Sequence, residues 1–317
     1  MGISRVGNNQ LVRNIQFNIK SQLDKQSTLF EQISSNKRIL SPSDDPVGTS
    51  QAMHHRDQLV QNNEFTDVIE TANLWTNITT TALDDAVNTW KRVNELGIAA
   101  SDGTKSEADR IAMAEELEQL LQHLVQIGNT TNGQRFVFGG SKTNAPPFDV
   151  EKDPNTGRVT GVFYQGDQFK RMVKTKNFGD TQVNALGSNS GDPNSRGAFV
   201  DSTSETNSFE TLIKLRDKLL DNDIIGLSGT GGLLKKVEDV GYNLVTAQVM
   251  VGGTQERLEL DRNRVIQENA DIKQFLSEVE DADIAALILE LNNAQNVYDA
   301  ALAAGGRLIQ TGLLNYI

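Results

Sequence analysis

Apolar residues recur at alternating steps of three and four through most of this chain, the spacing of one face of an α-helix. The pattern is densest from Asp281 to Ile317, where Ile284, Leu287, Leu291, Ala294, Tyr298, Ala301, Gly305, Leu308 and Gly312 form one stripe. Ile288, Gln295, Leu302, Ile309 and Tyr316 form a second stripe beside it at steps of seven. Two adjacent stripes give one helix a wide apolar face. No proline interrupts the run, so at about 1.5 Å per residue the helix extends for about 55 Å. It ends on the apolar side chains Leu313, Leu314 and Ile317. Chain ends usually fray in water, so this face is expected to be covered, either by its own domain's core or by a partner.

The first segment repeats the theme. Val12, Ile15, Ile19, Gln22, Gln26, Leu29 and Ile33 fall on the same spacing, with Leu23 and Phe30 alongside. They predict a long amphipathic helix up to about Ile39 with two polar seam positions. Pro42 and Pro46 then end it, and Ser43, Asp44 or Asp45 can cap the next helix, with Pro46 in its first turn. From Val47 to Ala99 the seam runs through Phe65, Val68, Ala72, Trp75, Thr79, Ala82, Ala86, Thr89, Val93 and Leu96. After a turn at 101–104 a helix from about Ser106 carries Met113, Leu117, Leu120, Leu124 and Ile127 inward, with Glu115, Glu116 and Glu118 on a solvated face.

Texture changes after Gln134. Four of the six prolines and many glycines fall between 141 and 204. Val159–Phe163 and Arg171–Val173 read as strands, and Asp153-Pro154-Asn155-Thr156-Gly157 as a turn. Helix resumes from Phe209 to Leu220, and a second long seam runs from Leu233 through Val237, Val240, Leu244, Ala247, Val251, Thr254, Leu258, Asp261, Val265, Glu268, Ile272, Phe275 and Val279. Gly252-Gly253 is read as a soft point or a close-packing site in it. The expected fold is mainly α, a long coiled-coil-like helical bundle built from the N- and C-terminal regions with a small β-rich insertion. Its divisions are an N-terminal arm (1–45), two parts of a helical core (46–140 and 205–276), the outer insertion (141–204) and a C-terminal arm (277–317).

Composition narrows the function. A hydrophobic content of 37% with 6% aromatics suits long helices sharing narrow seams. A net charge of −12 argues against nucleic acid. With no cysteine, neither a disulfide framework nor a thiolate metal site can form. No apolar run reaches the length of a bilayer crossing. The charge is unevenly placed. Residues 1–40 carry six basic and two acidic side chains, and residues 277–317 carry one basic and six acidic, so the two ends attract. The acidic group at Glu278, Glu280, Asp281 and Asp283 lacks the spacing of a calcium loop and reads as a helix N-terminus. The adjacent His54 and His55 diverge by about 100° on a helix, and no hydrolase, dinucleotide or phosphate-loop motif is present. Neither catalysis nor a cofactor nor a metal is expected.

Ser34-Ser-Asn-Lys-Arg-Ile-Leu-Ser-Pro-Ser-Asp-Asp-Pro46 resembles the N-terminal signature of the flagellin family. Ser277 to Ala286 and the ending Gly312-Leu-Leu-Asn-Tyr-Ile317 resemble its C-terminal counterparts. Asn36 stands where many relatives have glycine, and asparagine also tolerates left-handed geometry. Within the family, Asn129-Thr130-Thr131, Phe136-x-Phe138-Gly139-Gly140, Lys142-Thr143 and Pro147-Phe148 look most like the hook-associated members of the hook–filament junction. The resemblance implies a structural subunit of the bacterial flagellum, exported from the cytoplasm through the flagellar type III apparatus. It further implies contacts with neighbouring hook-associated and flagellin subunits, self-assembly into a ring or tube, and an export chaperone on the C-terminal helix. The expected assembly and chaperone residues are Ile284, Leu287, Leu291, Tyr298, Leu302, Leu308, Ile309 and Leu313, against an N-terminal seam of Val12, Ile15, Ile19, Leu29 and Ile33. A filament flagellin is the alternative within the class. A coiled-coil type III effector or translocator is the alternative outside it, which a membrane-active segment would favour; none is visible.

Overall fold

The computed structural model describes residues 3–175, 179–189, 195–223, 225–228 and 232–314, with side chains at 3–9, 11, 175, 225, 228 and 308–314 outside that description. The fold is mainly α. Its helices are α1 (Ile3–Ser35), α2 (Pro46–Ala100), α3 (Glu107–Gly128), α4 (Ser208–Leu220), α5 (Ile225–Ser228), α6 (Leu233–Glu280) and α7 (Ile284–Leu314). Short strands lie between α3 and α4: β1 (Thr131–Asn132), β2 (Arg135–Phe136), β3 (Phe148–Lys152), β4 (Val159–Tyr164), β5 (Met172–Thr175), β6 (Gly179–Gln182), β7 (Leu186–Ser188), β8 (Gly197–Asp201) and β9 (Thr206–Asn207). The chain forms two compact units, one of residues 1–62 with 266–317 and one of residues 63–265, so both boundaries fall inside long helices.

In the larger unit the predicted seams close on one core. Leu83, Ala86, Trp90 and Val93 of α2 are buried with Leu117, Leu121 and Leu124 of α3, Leu212 and Leu215 of α4, and Val237, Val240 and Leu244 of α6. The indole of Trp90 donates to the Val237 carbonyl at 2.7 Å, so its one polar atom is satisfied inside that core. Ser106 caps α3 and exchanges hydrogen bonds with Asp109, the reciprocal arrangement of a capping box. Asn207 caps α4 by accepting from the amides of Phe209 and Glu210.

The strands form small sheets rather than one. β1–β2, β3–β4 and β5–β6 are antiparallel hairpins, and β8 pairs with β7 in parallel and with β9 antiparallel. They share the helical core. Phe148 of β3 and Phe199 of β8 pack on Phe209 of α4, and Phe138 meets Phe199 edge-on, with ring centroids 4.9 Å apart for Phe148–Phe209, 5.7 Å for Phe199–Phe209 and 5.1 Å for Phe138–Phe199. Phe148 also lies so close to the end of α3 that a Cβ at Gly128 would meet its ring at 2.7 Å.

Four details of the sequence reading change. Ile69, not Val68, takes the inward position, and Val68 is exposed. Phe275 turns outward and stacks on His55. No side chain or backbone lies within 4 Å of where a Cβ would stand on Gly252 or Gly253, so they are not close-packed within the chain. Glu118 is not on a solvated face. It is buried and paired with the equally buried Arg216 of α4, because α3 packs α4 on that side and β4 closes over both. Glu115 and Glu116 stay on the surface side, held by Arg158 and Arg92.

Candidate assembly surface

The smaller unit holds the two terminal helices as an antiparallel pair. α1 presents Val12, Ile15, Ile19, Gln22, Gln26, Leu29 and Ile33, all wholly or partly buried. α7 answers with Ile284, Leu287, Leu291, Ala294, Tyr298, Ala301 and Gly305, likewise covered. The small residues set the closest approach: a Cβ on Gly305 would come 3.1 Å from Cγ2 of Ile15. Gln26, one of the two polar seam positions, donates from Nε2 to the Ala294 carbonyl at 3.1 Å. At the margin Lys25 and Glu290 form an ion pair at 2.7 Å, each about half exposed. Burial of the aliphatic side chains, at up to about 1.5–3 kcal/mol each where burial is complete, summed over the seam outweighs that exposed pair at about 0.2–1 kcal/mol.

The second stripe is left open. Ile288 and Leu302 of α7 are exposed, Leu302 to 44%, and so are Leu289 and Val297 elsewhere on the helix. On α1, Phe17 and Phe30 are exposed to 72% and 66%, and Leu23 to 46%. So Ile284, Leu287, Leu291 and Tyr298 share the face against α1, and Leu302 does not. The side chains of Leu308, Ile309 and Leu313 lie outside the described residues.

Two helix breaks, at 36–45 and 281–283, meet at the root of this pair. Asn36 takes φ of 57°, the left-handed conformation that ends α1. Asp44 accepts from the amides of Leu40 and Ser41, and Asp45 caps α2 by accepting from Gly48, with Pro46 as the first helical residue. These bonds hold both carboxyls below the usual carboxylate range, the Ser41 amide leading for Asp44 and the Gly48 amide for Asp45, where Arg38 adds to the effect. Asp283 caps α7 by accepting from Ala286. At the end of α6, Glu280 accepts from Arg56 at 2.8 Å and lies 3.2 Å from Lys37, whose ammonium also meets Asp281 at 2.6 Å. Bonding to Lys37 first, then Ser277, keeps Asp281 ionised below its ordinary range, and Asp281 in turn raises Lys37. The acidic run at 278–283 was visible in sequence; its cationic partners, 224 and 244 residues away, were not. Among the described residues no group of three or more His, Asp or Glu could hold a metal ion, and no helix is long and apolar enough to cross a membrane.

The profile of the bacterial flagellin N-terminal helical region matches residues 6–143. Flagellar hook-associated protein 3 of Escherichia coli K12 is 29% identical over 271 residues, covering 85% of this chain and 79% of the relative. Among solved structures, a putative flagellar hook-associated protein from Vibrio parahaemolyticus superposes with a TM-score of 0.60 at 16% identity, covering 75% of this chain and all of that one. The flagellar junction protein FlgL from Legionella pneumophila gives 0.56 at 17% identity over 74% of this chain and all of its own.

Proposed function

We infer that the chain is a member of the flagellin family and a structural subunit of the flagellar hook–filament junction, from the match of residues 6–143 to the flagellin N-terminal region and the similarity to hook-associated protein 3 over 85% of its length. Its work is mechanical: it presents surfaces to neighbouring subunits and is held by them. One observation carries this reading. The terminal pair covers one apolar stripe internally and leaves Ile288 and Leu302 of the second open, and it further exposes Leu289 and Val297 on α7 and Phe17, Leu23 and Phe30 on α1. An open stripe of this kind on paired helices is a site for further helices. Copies of the same pair in a ring or tube, followed by hook-associated and flagellin neighbours, would cover it.

Before export the same surface needs protection. An export chaperone in the cytoplasm that takes α7 as a helix in a groove would bind the face of Ile284, Leu287, Leu291 and Tyr298 while α1 is not yet on it. Segments 1–45 and 277–317 then serve as assembly arms. The absence of cysteine suits a chain that travels unfolded.

Two substitutions test the division of labour. Leu302→Asp leaves the α1–α7 seam intact, so the variant is exported and folds but is not retained at the hook tip. Leu291→Asp breaks the seam and the chaperone face together, so calorimetry shows lost chaperone binding and export falls. Normal retention of Leu302→Asp at hook tips would refute the role of the open stripe.

A further inference from the structure

We propose that the cavity between α2 and the β5–β6 hairpin is a binding site for an aliphatic carboxylate, whose anionic end is held by Arg171 and Trp75. This goes beyond the junction role, because the site lies wholly within residues 63–265 and needs neither terminal helix nor a neighbouring subunit.

The cavity has a volume of about 270 Å³. Val68, Ala72 and Trp75 line it from α2, where steps of four and three put them on one face. Arg171 and Val173 line it from the hairpin, with Val183 just beyond β6. Side chains alternate along a strand, so Met172 and Lys174 of β5 turn the other way and are exposed. Arg171 is fixed by its backbone. Its amide donates to Asn184 Oδ1 at 2.8 Å, and its carbonyl accepts from the Val183 amide at 2.9 Å. Asn184 is itself buried and also donates to the Phe169 carbonyl at 2.9 Å. The guanidinium then lies over the Trp75 ring, with Cζ 4.9 Å from the centroid, a cation–π contact.

Two donors at this end of the cavity lack an acceptor. Trp75 is only 5% exposed, and its indole N–H is buried without a hydrogen-bond partner. Among the described residues, none accepts a hydrogen bond from the Arg171 guanidinium or forms an ion pair with it. A buried donor left in this state costs free energy. Water answers it poorly. It accepts from both groups, but its own protons then need acceptors, in a cavity walled mainly by Val68, Ala72, Val173 and Val183. A carboxylate only accepts, and its charge is opposite to that of Arg171. Asp67, the one carboxylate among the lining residues, lies two turns before Trp75, about 12 Å along the helix axis. It repels an anion from its own end, so the ligand's carboxylate sits at Arg171 and its apolar chain lies along the valines.

Titration of the full chain with sodium octanoate tests this, followed by calorimetry and by the indole N–H resonances of the isotope-labelled protein. The sequence has two tryptophans and so two indole signals, which Trp75→Phe assigns. Octanoate binds with a Kd below about 1 mM and moves the Trp75 signal. The Trp90 signal, whose N–H is already bonded to Val237, stays in place. Butanoate has less chain to bury and binds at least about tenfold more weakly. Octylammonium leaves the Trp75 signal unmoved. Arg171→Met weakens octanoate at least about tenfold. Val68→Phe, at a position 43% exposed, fills the mouth of the cavity and abolishes binding. Lys174→Met removes an exposed cation from the outer side of the hairpin and leaves the affinity within about twofold. Unchanged helical circular dichroism shows that each variant is folded. A Trp75 signal unmoved by about 10 mM octanoate, full affinity in Arg171→Met, or an equal shift with octylammonium would each overturn the site.

Discussion

Arg216→Met removes the cation from the most buried ion pair described in the protein. Arg216 and Glu118 have side chains exposed to 5% and 4%. Arg216 Nη1 serves both Glu118 and the Val159 carbonyl, the latter at 2.7 Å, while Glu118 accepts from the Val159 amide at 3.1 Å and from Gln122 at 2.9 Å. The pair therefore grips the first residue of β4 by both its backbone groups. Without Arg216, a buried carboxylate keeps two donors and the Val159 carbonyl loses its side-chain donor. Breaking one side of such a pair costs about 3–5 kcal/mol. For a body of this size about 4 kcal/mol lowers Tm by roughly 8–16 °C. Replacing both partners, Glu118→Leu with Arg216→Met, leaves no buried charge, so its loss falls well below the sum of the two single losses. Thermal and urea unfolding followed by helical circular dichroism reads both quantities. Burial pushes the Glu118 carboxyl up, but bonds from Gln122, Arg216 and the Val159 amide, with the Arg216 charge, carry it below its ordinary value. Its contribution is thus fully present above about pH 4.3 and is lost as pH falls through the depressed value, so the difference between parent and Arg216→Met shrinks only in acid. A Tm loss under about 3 °C at pH 7, or a double variant that costs the full sum, would refute the argument.

Other outcomes follow from the same contacts. Gly305→Ala is close to neutral, because about 1 kcal/mol of helix propensity offsets a 3.1 Å contact with Ile15, whereas Gly305→Leu drives α1 from α7 and shows as lost protease resistance of both helices. Asn36→Gly preserves stability and Asn36→Val lowers it by about 1–2 kcal/mol, since φ there is 57°; urea midpoints decide. Replacing 141–204 with a Gly/Ser linker removes Phe148, Phe199 and the Val159 grip from the core, so cooperative unfolding of the remaining helices broadens and falls in temperature; an unchanged transition would mean the strands fold apart. Reversing Arg13, Lys20 and Lys25 to Glu weakens the terminal pair modestly in low salt, about 0.2–1 kcal/mol per lost pair, with recovery in high salt; no effect at low salt would leave charge without a role.

The seams were legible because helical periodicity is local. Every residue of the first stripe, on α1 from Val12 to Ile33 and on α7 from Ile284 to Gly305, is wholly or partly covered in the structure. Errors arose where local spacing underdetermines the answer. Val68 and Ile69 are adjacent and both apolar, and over a 55-residue helix a repeat of alternating threes and fours drifts against 3.6 residues per turn. Periodicity also marks an apolar stripe without saying what covers it, so Leu302 was grouped with Leu291 although the pair leaves it exposed. The polar anchors were out of reach for another reason. Glu118 looks like any surface glutamate until Arg216, 98 residues on, is brought to it. Glu280 gains its meaning only from Lys37 and Arg56. The resemblance at both ends was readable, whereas the ion pairs of Lys37 and Arg56 with Glu280 and Asp281 required the fold.

Deletion of the coding sequence from its own flagellated strain, followed by negative-stain imaging of the cells and assay of flagellin in the medium, tests the junction role most directly. The account predicts hooks without filaments and flagellin released unassembled, restored by the parent chain. Filaments of normal length and number on the deletion strain would contradict it.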